Sequence, residues 1–209
     1  MKIEVKNLSK KFKNEVVLEN INLCFEENHI YGLIGKNGSG KSVFLKMLCG
    51  LYKPTSGEIL FDGENCILKN SFPKDTRAII EKPEFIPDLS GFENLKLLAQ
   101  IQNKISDKEI NDTLKLVNLY EERNKKFYKY SQGMKQKLGL AQVLMENPKI
   151  MILDEPFNGI EEESSNKLRN LLKEIKKDKI IIIASHYKED LENIVDEIYK
   201  VENKGICKQ

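Results

Sequence analysis

The eight residues from Gly35 to Ser42 constrain the fold of this chain more than any other part of its sequence. They read G-K-N-G-S-G-K-S and match the pattern G-x-x-x-x-G-K-[ST]. The apolar run Ile30–Ile34 precedes them and the apolar segment Val43–Cys49 follows, which predicts a strand, a glycine-rich loop and a helix. In that arrangement, inward-pointing backbone N–H groups and the positive end of the helix bind phosphate. A glycine-rich turn of purely structural use is the alternative interpretation.

The loop predicts a nucleotide-binding site with a role for each side chain. Lys41 is expected to reach the β- and γ-phosphates of the nucleotide, and Ser42 is expected to be a ligand of Mg²⁺. The predicted nucleotide-binding residues of the loop are Gly35, Asn37, Gly38, Ser39, Gly40, Lys41 and Ser42. By itself the motif is compatible with kinases, GTPases, motors and transporters.

Polar side chains follow two further apolar runs. Asp154 and Glu155 come at the end of Ile150–Leu153 and point to opposite sides of the predicted strand. We expect Asp154 to bind Mg²⁺ through a water and Glu155 to polarise the attacking water as general base. His186 follows Ile180–Ala184, at the strand end where open α/β sheets bind ligands, and is predicted to contact the γ-phosphate. A solvated strand end for the two acids and a surface or capping role for the histidine are the alternatives.

The composition is that of an ordinary globular chain. Of the 209 residues, 40% are apolar and 32% are charged, which suits one large domain or a domain with a small inserted lobe. The net charge is only +2, and three of the 34 basic residues are arginines. Because so weak a field does not attract nucleic acid, we expect no nucleic-acid partner.

The cysteines and the hydropathy pattern bear on the cellular compartment. Cys24, Cys49, Cys66 and Cys207 form no CxxC pair and have no histidine at zinc-ligand spacing, so we expect reduced thiols that are buried as small apolar residues. The sequence shows neither an apolar secretory segment at its start nor a long uncharged apolar stretch. We therefore expect a cytoplasmic chain that does not enter a membrane by itself.

The order of apolar patterns predicts an α/β fold. The three apolar runs named above read as central parallel strands. Helical spacing follows two of them, in Leu168–Ile175 and Leu191–Ile198. The amino-terminal segments Lys2–Val5, Val16–Leu23 and Gly57–Phe61 read instead as short strands separated by turns, which predicts an antiparallel flap beside the parallel sheet.

From Pro87 to Pro148 the pattern is helical. Two capping boxes, S-G-F-E from Ser90 and S-D-K-E from Ser106, each precede apolar residues at helical spacing. Ser131 is a natural N-cap of a further helix, and Gly133 permits close backbone approach. We predict a single domain over residues 1–209, in which 1–86 and 148–209 form a catalytic lobe and 87–147 an inserted helical lobe.

With these residues in place, nearly the whole chain resembles the ATP-binding subunit of an ABC transporter. That family has a P-loop NTPase fold with a RecA-like parallel sheet. The resemblance assigns Gly35–Ser42 to Walker A, Tyr130–Met134 to the signature, Asp154 and Glu155 to Walker B with its catalytic acid, Asn158–Glu161 to the D-loop and His186 to the switch histidine. It also implies that Phe12, with Val17 beside it, stacks on adenine, and that Ser131, Gln132 and Gly133 bind nucleotide.

The sequence departs from the family pattern at three places. In the signature, Gln132 and Met134 replace the first Gly and the final Gln, and the D-loop ends in Glu161 where the family usually has Asp. Glu81 stands where the family usually has Gln, and its carboxylate is predicted to bind Mg²⁺ more strongly than an amide would. A solvent-facing Glu81 is the alternative.

The resemblance implies an ATPase that binds ATP and Mg²⁺. Two copies, or one copy and a paralogue, would bind head to tail around two ATP molecules and drive export through a separate integral-membrane permease at the inner face of the membrane. The stretch 81–95 and the variant signature resemble the bacitracin- and lantibiotic-resistance branch of exporters, which suggests peptide export. The permease is expected to dock on a groove near Glu81 and the helical lobe, with Phe85, Ile86 and Phe92 as apolar contacts; core packing is the alternative use of these three residues.

Two other functions remain open at this stage. One is a soluble ABC-type ATPase acting in translation or DNA maintenance, although such proteins usually carry two ATPase halves or long coiled coils and this sequence has neither. The other is a P-loop small-molecule kinase, which predicts a phosphorylated product in place of free phosphate.

Overall fold

The computed structural model of the protein describes residues 1–67 and 71–209. The strands are β1 (Lys2–Phe12), β2 (Glu15–Glu26), β3 (His29–Ile34), β4 (Ser56–Phe61), β5 (Thr76–Ile79), β6 (Ile150–Asp154), β7 (Ile180–Ser185), β8 (Glu197–Glu202) and β9 (Gly205–Lys208). The helices are α1 (Lys41–Leu48), α2 (Gly91–Gln102), α3 (Asp107–Leu116), α4 (Gln132–Leu144) and α5 (Glu162–Ile175), with a 3₁₀ turn at Phe127–Lys129.

The larger sheet has six strands in the order β5-β6-β7-β3-β8-β9. The first five are parallel, and only the β8–β9 pair is antiparallel. The central strands β6 and β7 are buried at every position, which explains why their sequences are continuous apolar runs without alternation. The three central strands are confirmed, and the carboxyl ends of β3, β6 and β7 lie at one edge of the sheet.

The amino-terminal flap is also confirmed. Strands β2, β1 and β4 form an antiparallel sheet in that order. Its apolar residues, among them Ile3, Val5 and Phe25, join one buried cluster with residues of α1 and one face of the larger sheet. The flap therefore covers that face and places the end of β1 beside the loop that follows β3.

Both capping boxes form as expected. The Ser90 and Ser106 hydroxyls accept the backbone N–H groups of Glu93 and Glu109, and each glutamate accepts its cap residue's N–H in return. Helices α2, α3 and α4 lie between β5 and β6 in the chain, and their apolar residues join a buried cluster that continues into the other face of the sheet. The division of the chain at residues 87 and 147 stays a prediction.

The helix predicted over Leu191–Ile198 is wrong. Residues 189–194 form turns, and Ile198 already belongs to β8. The apolar spacing there has another cause: Leu191 and Ile194 are buried, and Leu191 and Val195 lie against Gly32 of β3, where an added Cβ would come within 3.2 Å of both. Because packing against the sheet also requires apolar residues at intervals, a series of turns here has the apolar spacing of a helix.

The cysteines differ in part from the prediction. Only Cys49 is buried; Cys66 is half-buried, and Cys24 and Cys207 are exposed on strands β2 and β9. Their side chains lie on the solvent side of their strands, where burial is not required. In the described residues, 1–67 and 71–209, no helix is long and apolar enough to cross a membrane.

Candidate nucleotide-binding site

A cleft of about 440 Å³ opens where the end of β1, the loop after β3 and the end of β6 meet. Most of the residues assigned to the nucleotide and the metal come together there, but Gly35, Ser131, Gln132 and Gly133 are not part of its lining. Its lining consists of Phe12, Val17, Asn37, Gly38, Ser39, Gly40, Lys41, Ser42, Val43, Glu81, Asp154 and Glu155. These residues come from four separate parts of the chain, so the sheet assembles the cleft.

The glycine-rich loop has the open backbone that phosphate binding requires. Gly38 has a φ of 79°, and a Cβ added there would meet nothing within 4 Å. Gly40 has a φ of 105° and packs against Val17 and Leu18 of β2. The Ser39 Oγ atom is buried and has no hydrogen-bond partner among the described residues. A buried hydroxyl without a partner beside an open loop suits a phosphate oxygen as acceptor.

Lys41 begins α1 and points back under the loop. Its side chain is buried, and its Nζ atom donates hydrogen bonds to the carbonyl oxygens of Gly35 at 2.6 Å and Lys36 at 3.3 Å. Burial lowers the pKa of the Lys41 ammonium, and the charges of Glu155 and Asp154 oppose that shift. The ammonium can donate a third hydrogen bond, and a phosphate would restore the solvation that burial removes.

Ser42 and Asp154 form the part of the cleft that fits Mg²⁺. The Ser42 hydroxyl donates to Asp154 Oδ2 at 2.6 Å, so a hydroxyl oxygen and a carboxylate oxygen lie side by side, as this hard cation prefers. Burial raises the pKa of the Asp154 carboxyl, and the hydrogen bond from Ser42 opposes that shift. A cation at this position would compensate the buried carboxylate.

Glu155 is held by its side chain and its backbone. His186 Nδ1 lies 2.7 Å from Glu155 Oε1; because an ionised carboxylate only accepts, that nitrogen carries the hydrogen. The buried Ser185 hydroxyl lies 3.2 Å from Glu155 Oε2. The Glu155 backbone has a φ of 48°, its N–H donates to Ala184 O, and its carbonyl accepts from the Gln136 amide at 3.1 Å. In this structure His186 contacts the predicted general base; its predicted contact with the γ-phosphate stays untested.

Phe12 lies at the end of β1, half exposed at the mouth of the cleft. Its ring meets Tyr52 edge to face, with centroids 5.5 Å apart. The Lys10 ammonium lies 4.7 Å from the centre of the Phe12 ring. The exposed ring and its position beside Val17 and the loop suit stacking on a planar base.

Glu81 lines the cleft, but its carboxylate is paired with a cation. The Lys46 Nζ atom of α1 lies 2.5 Å from Glu81 Oε1, and the Glu81 backbone has a φ of 66°. The Glu81 carboxylate thus lies at the edge of the cleft, paired with Lys46 and still largely exposed. The predicted role in Mg²⁺ binding is not tested by this pairing.

The signature residues do not reach this cleft within one chain. Ser131 caps α4 by accepting the Met134 N–H at 3.2 Å, and Gln132 lines a separate groove with Lys82, Phe85 and Phe127. Gly133 packs so closely that an added Cβ would lie 2.5 Å from the Gly159 carbonyl oxygen. Ser131, Gln132 and Gly133 are thus not part of the cleft of their own chain, and their predicted contacts with nucleotide stay a prediction.

Sequence reasoning missed the polar residues that surround Glu155. Gln136, Ser185, Asp190 and Arg169 connect Glu155 to α4, to the turn after β7 and to α5. Ser185, beside His186, was the only one with a local signal. Gln136, Asp190 and Arg169 lie far apart in the chain, and no motif recognised in the sequence assigns them a role at this site.

Comparison with known proteins agrees with a nucleotide-binding role for this cleft. The family described as ABC transporter matches residues 18–158. The chain belongs to the ABC transporter family. An uncharacterized ABC transporter ATP-binding protein of Bacillus subtilis (strain 168), YybJ, is 45% identical over 93% of this chain and 89% of its own. The chain is thus an ATP-binding subunit with the activity class of an ABC ATPase, as the motifs predict.

Two named transport proteins are also similar to this chain in sequence. The bacitracin transport ATP-binding protein BcrA of Enterococcus faecalis is 37% identical over 94% of this chain, which spans 65% of BcrA's length. The lantibiotic transport ATP-binding protein SrtF of Streptococcus pyogenes is 34% identical over 93% of this chain and 84% of SrtF. These relatives confirm the resemblance to the bacitracin and lantibiotic branch.

The solved structures confirm the fold. An ATP-binding subunit of an ABC transporter superposes with a TM-score of 0.89 at 26% identity, covering 100% of this chain and 90% of its own. A dimeric ATP-binding cassette bound to ADP and Pi superposes with a TM-score of 0.87 at 24% identity, over 98% of this chain and 96% of that one.

Proposed function

We propose that two copies of this chain bind head to tail around two ATP molecules and drive export of a peptide through a separate membrane permease. The observation that carries the proposal is the placement of Lys41, Ser42, Asp154 and Glu155 in one cleft, whose lining does not include Ser131, the N-cap of α4. Each molecule supplies a phosphate loop in one place and a capped helix in another. A second copy can complete the cleft, and a single copy cannot.

In this proposal the residues of the cleft divide the work of hydrolysis. Phe12 stacks on the base, and Lys41 with the loop N–H groups holds the phosphates. Mg²⁺, held by Ser42 and Asp154, would neutralise charge on the phosphates. Glu155, oriented by His186, takes one proton from the attacking water while the water oxygen bonds to the γ-phosphorus. The bond between the γ-phosphorus and the bridging oxygen breaks, and ADP leaves with its electrons.

The γ-phosphate is what makes the dimer depend on ATP. The helix α4 begins at Ser131, so its amino end offers N–H groups and a positive partial charge to an anion on a second molecule. ATP can bridge that helix and the loop of the facing copy, whereas ADP lacks the bridging group. Hydrolysis therefore removes the contact that holds the pair closed.

The permease is proposed to dock on the groove of about 650 Å³ beside α4. Phe85 lines this groove and meets Phe127 edge to face, with centroids 5.2 Å apart. Ile86 is 47% exposed, while Phe85 and Phe92 are both packed against the buried cluster. The position of Phe85 in the groove and the exposure of Ile86 support their proposed role in docking, whereas core packing is the better-supported role of Phe92.

The substitution Glu155→Gln tests the proposal. It keeps the shape of the side chain but removes its ability to accept a proton, so ATP should bind as before while phosphate release slows by at least about 100-fold. The variant should elute as a dimer on size exclusion with ATP and as a monomer with ADP. Turnover at the wild-type rate, or no ATP-dependent dimer, would overturn the proposal. Purification from membranes with a permease, as opposed to ribosomes or DNA, separates export from the soluble alternative.

A further inference from the structure

Behind Glu155 lies a polar network that the motifs do not contain. The Ser185 hydroxyl, which is fully buried, is 3.2 Å from Glu155 Oε2 and 2.7 Å from Asp190 Oδ2. Asp190 Oδ1 in turn accepts a hydrogen bond from Arg169 Nη2 at 3.1 Å. The network thus runs from the carboxylate of the cleft to helix α5.

The Ser185 hydroxyl can donate its hydrogen to only one of its two carboxylate neighbours at a time. A serine has one hydrogen to donate, and two ionised carboxylates compete for it. The Ser185 Oγ atom also accepts the Tyr187 N–H at 3.1 Å, which fixes the oxygen between Glu155 and Asp190. When the hydrogen points to Glu155, both oxygens of that carboxylate are held, because His186 already donates to the other.

Arg169 decides how strongly Asp190 competes for that hydrogen. The guanidinium compensates the charge of Asp190 and lies over the Phe157 ring, 4.8 Å from its centre. Phe157 is buried two residues after Glu155. The Arg169 side chain is 12% exposed, so water competes weakly for these contacts. Arg169 thereby touches both the loop that carries Glu155 and the turn that carries Asp190.

We propose that Ser185 is a positioning residue for Glu155, and that Arg169, through Asp190, keeps the Ser185 hydrogen available to it. This inference rests on the proposed role of Glu155 in hydrolysis. Ser185 does not touch the nucleotide in this scheme. It limits the rotation of the Glu155 carboxylate, so that the oxygen which takes the proton stays in place. Loss of the hydroxyl should leave ATP binding intact and impair turnover.

The first test is Ser185→Ala in the full chain, with ATP turnover and the affinity for a fluorescent ATP analogue measured on the same preparation. We expect kcat to fall about 10- to 100-fold, as for other misplaced catalytic groups, while KM and the affinity stay within twofold. Ser185→Thr, which keeps the hydroxyl, should recover most of the loss. The control is Ser165→Ala, since Ser165 is another buried serine, on α5, outside this network; it should turn over as wild type.

A double-substitution cycle separates positioning from a general loss of structure. Arg169→Met leaves Asp190 uncompensated and should lower kcat alone, but should add nothing to Ser185→Ala, because both act through the same hydroxyl. Additive losses, a raised KM with unchanged kcat, or wild-type turnover of Ser185→Ala would overturn the inference. If Glu155→Gln itself turned over normally, the proposed function would fail first; if Glu155→Gln is inactive and Ser185→Ala is normal, only this inference fails.

Discussion

Lys46 of helix α1 and Glu81, which follows strand β5, form an ion pair in which Nζ and Oε1 are 2.5 Å apart. The Glu81 side chain is 65% exposed, so the pair adds little to stability. Its importance is its position. The hydrogen bond that Lys46 donates to Glu81 raises the pKa of the Lys46 ammonium, and Lys46 holds at the edge of the cleft a carboxylate that the sequence predicts to bind Mg²⁺.

Substitutions of the two partners should change the Mg²⁺ requirement of turnover in opposite directions. Glu81→Gln removes the charged ligand, so the Mg²⁺ concentration for half-maximal turnover should rise about 3- to 10-fold. Lys46→Met releases the carboxylate toward the cleft, so that concentration should fall. A Mg²⁺ titration of ATP turnover measures both effects. Glu84→Gln, an exposed neighbour that lines the other groove, is the control, and unchanged metal dependence in all three variants would remove Glu81 from the metal site.

Gly133→Ala should destabilise the protein. Because the new Cβ would lie 2.5 Å from the Gly159 carbonyl oxygen, one of the two backbones must move, and we expect the free energy of unfolding to fall by about 1–3 kcal/mol. Urea unfolding followed by circular dichroism measures this. At Gly205 an added Cβ would meet only the Glu202 carbonyl oxygen, at 3.5 Å, so Gly205→Ala should unfold near the wild-type midpoint. Equal midpoints for both variants would contradict the expected clash.

Asn94→Ala should loosen the segment that leads into α2. The buried Asn94 amide accepts the Ile86 N–H at 2.9 Å and donates to the carbonyl oxygens of Ile86 at 3.1 Å and Ser90 at 3.0 Å. Their loss leaves the Ile86 N–H without the amide acceptor, and we expect the free energy of unfolding to fall by about 1–3 kcal/mol. Hydrogen exchange should show faster exchange at Ile86, while Gln100→Ala, at an exposed position of the same helix, should leave both measurements unchanged.

Asp196 gives a prediction for the pH dependence of stability. Partial burial acts to raise its pKa, but hydrogen bonds from Lys176 and from the Ile30 backbone outweigh that effect and lower the pKa below its usual 3.8. The unfolded state therefore binds more protons between the two pKa values, and stability increases with pH across that window. The stabilisation by Asp196 is complete above about pH 4 and is lost as the pH falls through the lowered pKa.

The Asp196→Asn variant checks this dependence. Since asparagine keeps one acceptor but loses the charge, the variant should be less stable by about 1 kcal/mol at pH 7 and pH 5. The difference in urea midpoint should shrink below pH 4. Asp88→Asn, at an exposed position, should show no comparable difference. A gap between Asp196→Asn and wild type that widens in acid would contradict the assignment.

The local parts of the fold and site were predictable from the sequence. Ser90 and Ser106 cap their helices because the groups they bond lie three residues away, and Lys41 and Ser42 occupy the loop that their motif describes. The prediction of a helix over Leu191–Ile198 was wrong because the cause of its apolar spacing is not local. Its apolar spacing reflects packing under Gly32 of β3, a contact that no local pattern reveals.

By itself, then, the sequence determined the phosphate loop, the strands that lead to Asp154 and His186, and the capped helices, since each depends on hydrogen bonds and periodicity within a few consecutive residues. Only the tertiary structure decided that Glu81 pairs with Lys46, that Ser185, Asp190 and Arg169 form a network with Glu155, and that Ser131 is not part of its own chain's cleft. Those relationships depend on how the sheet and helices pack, which brings together residues whose separation in the chain carries no signal of contact.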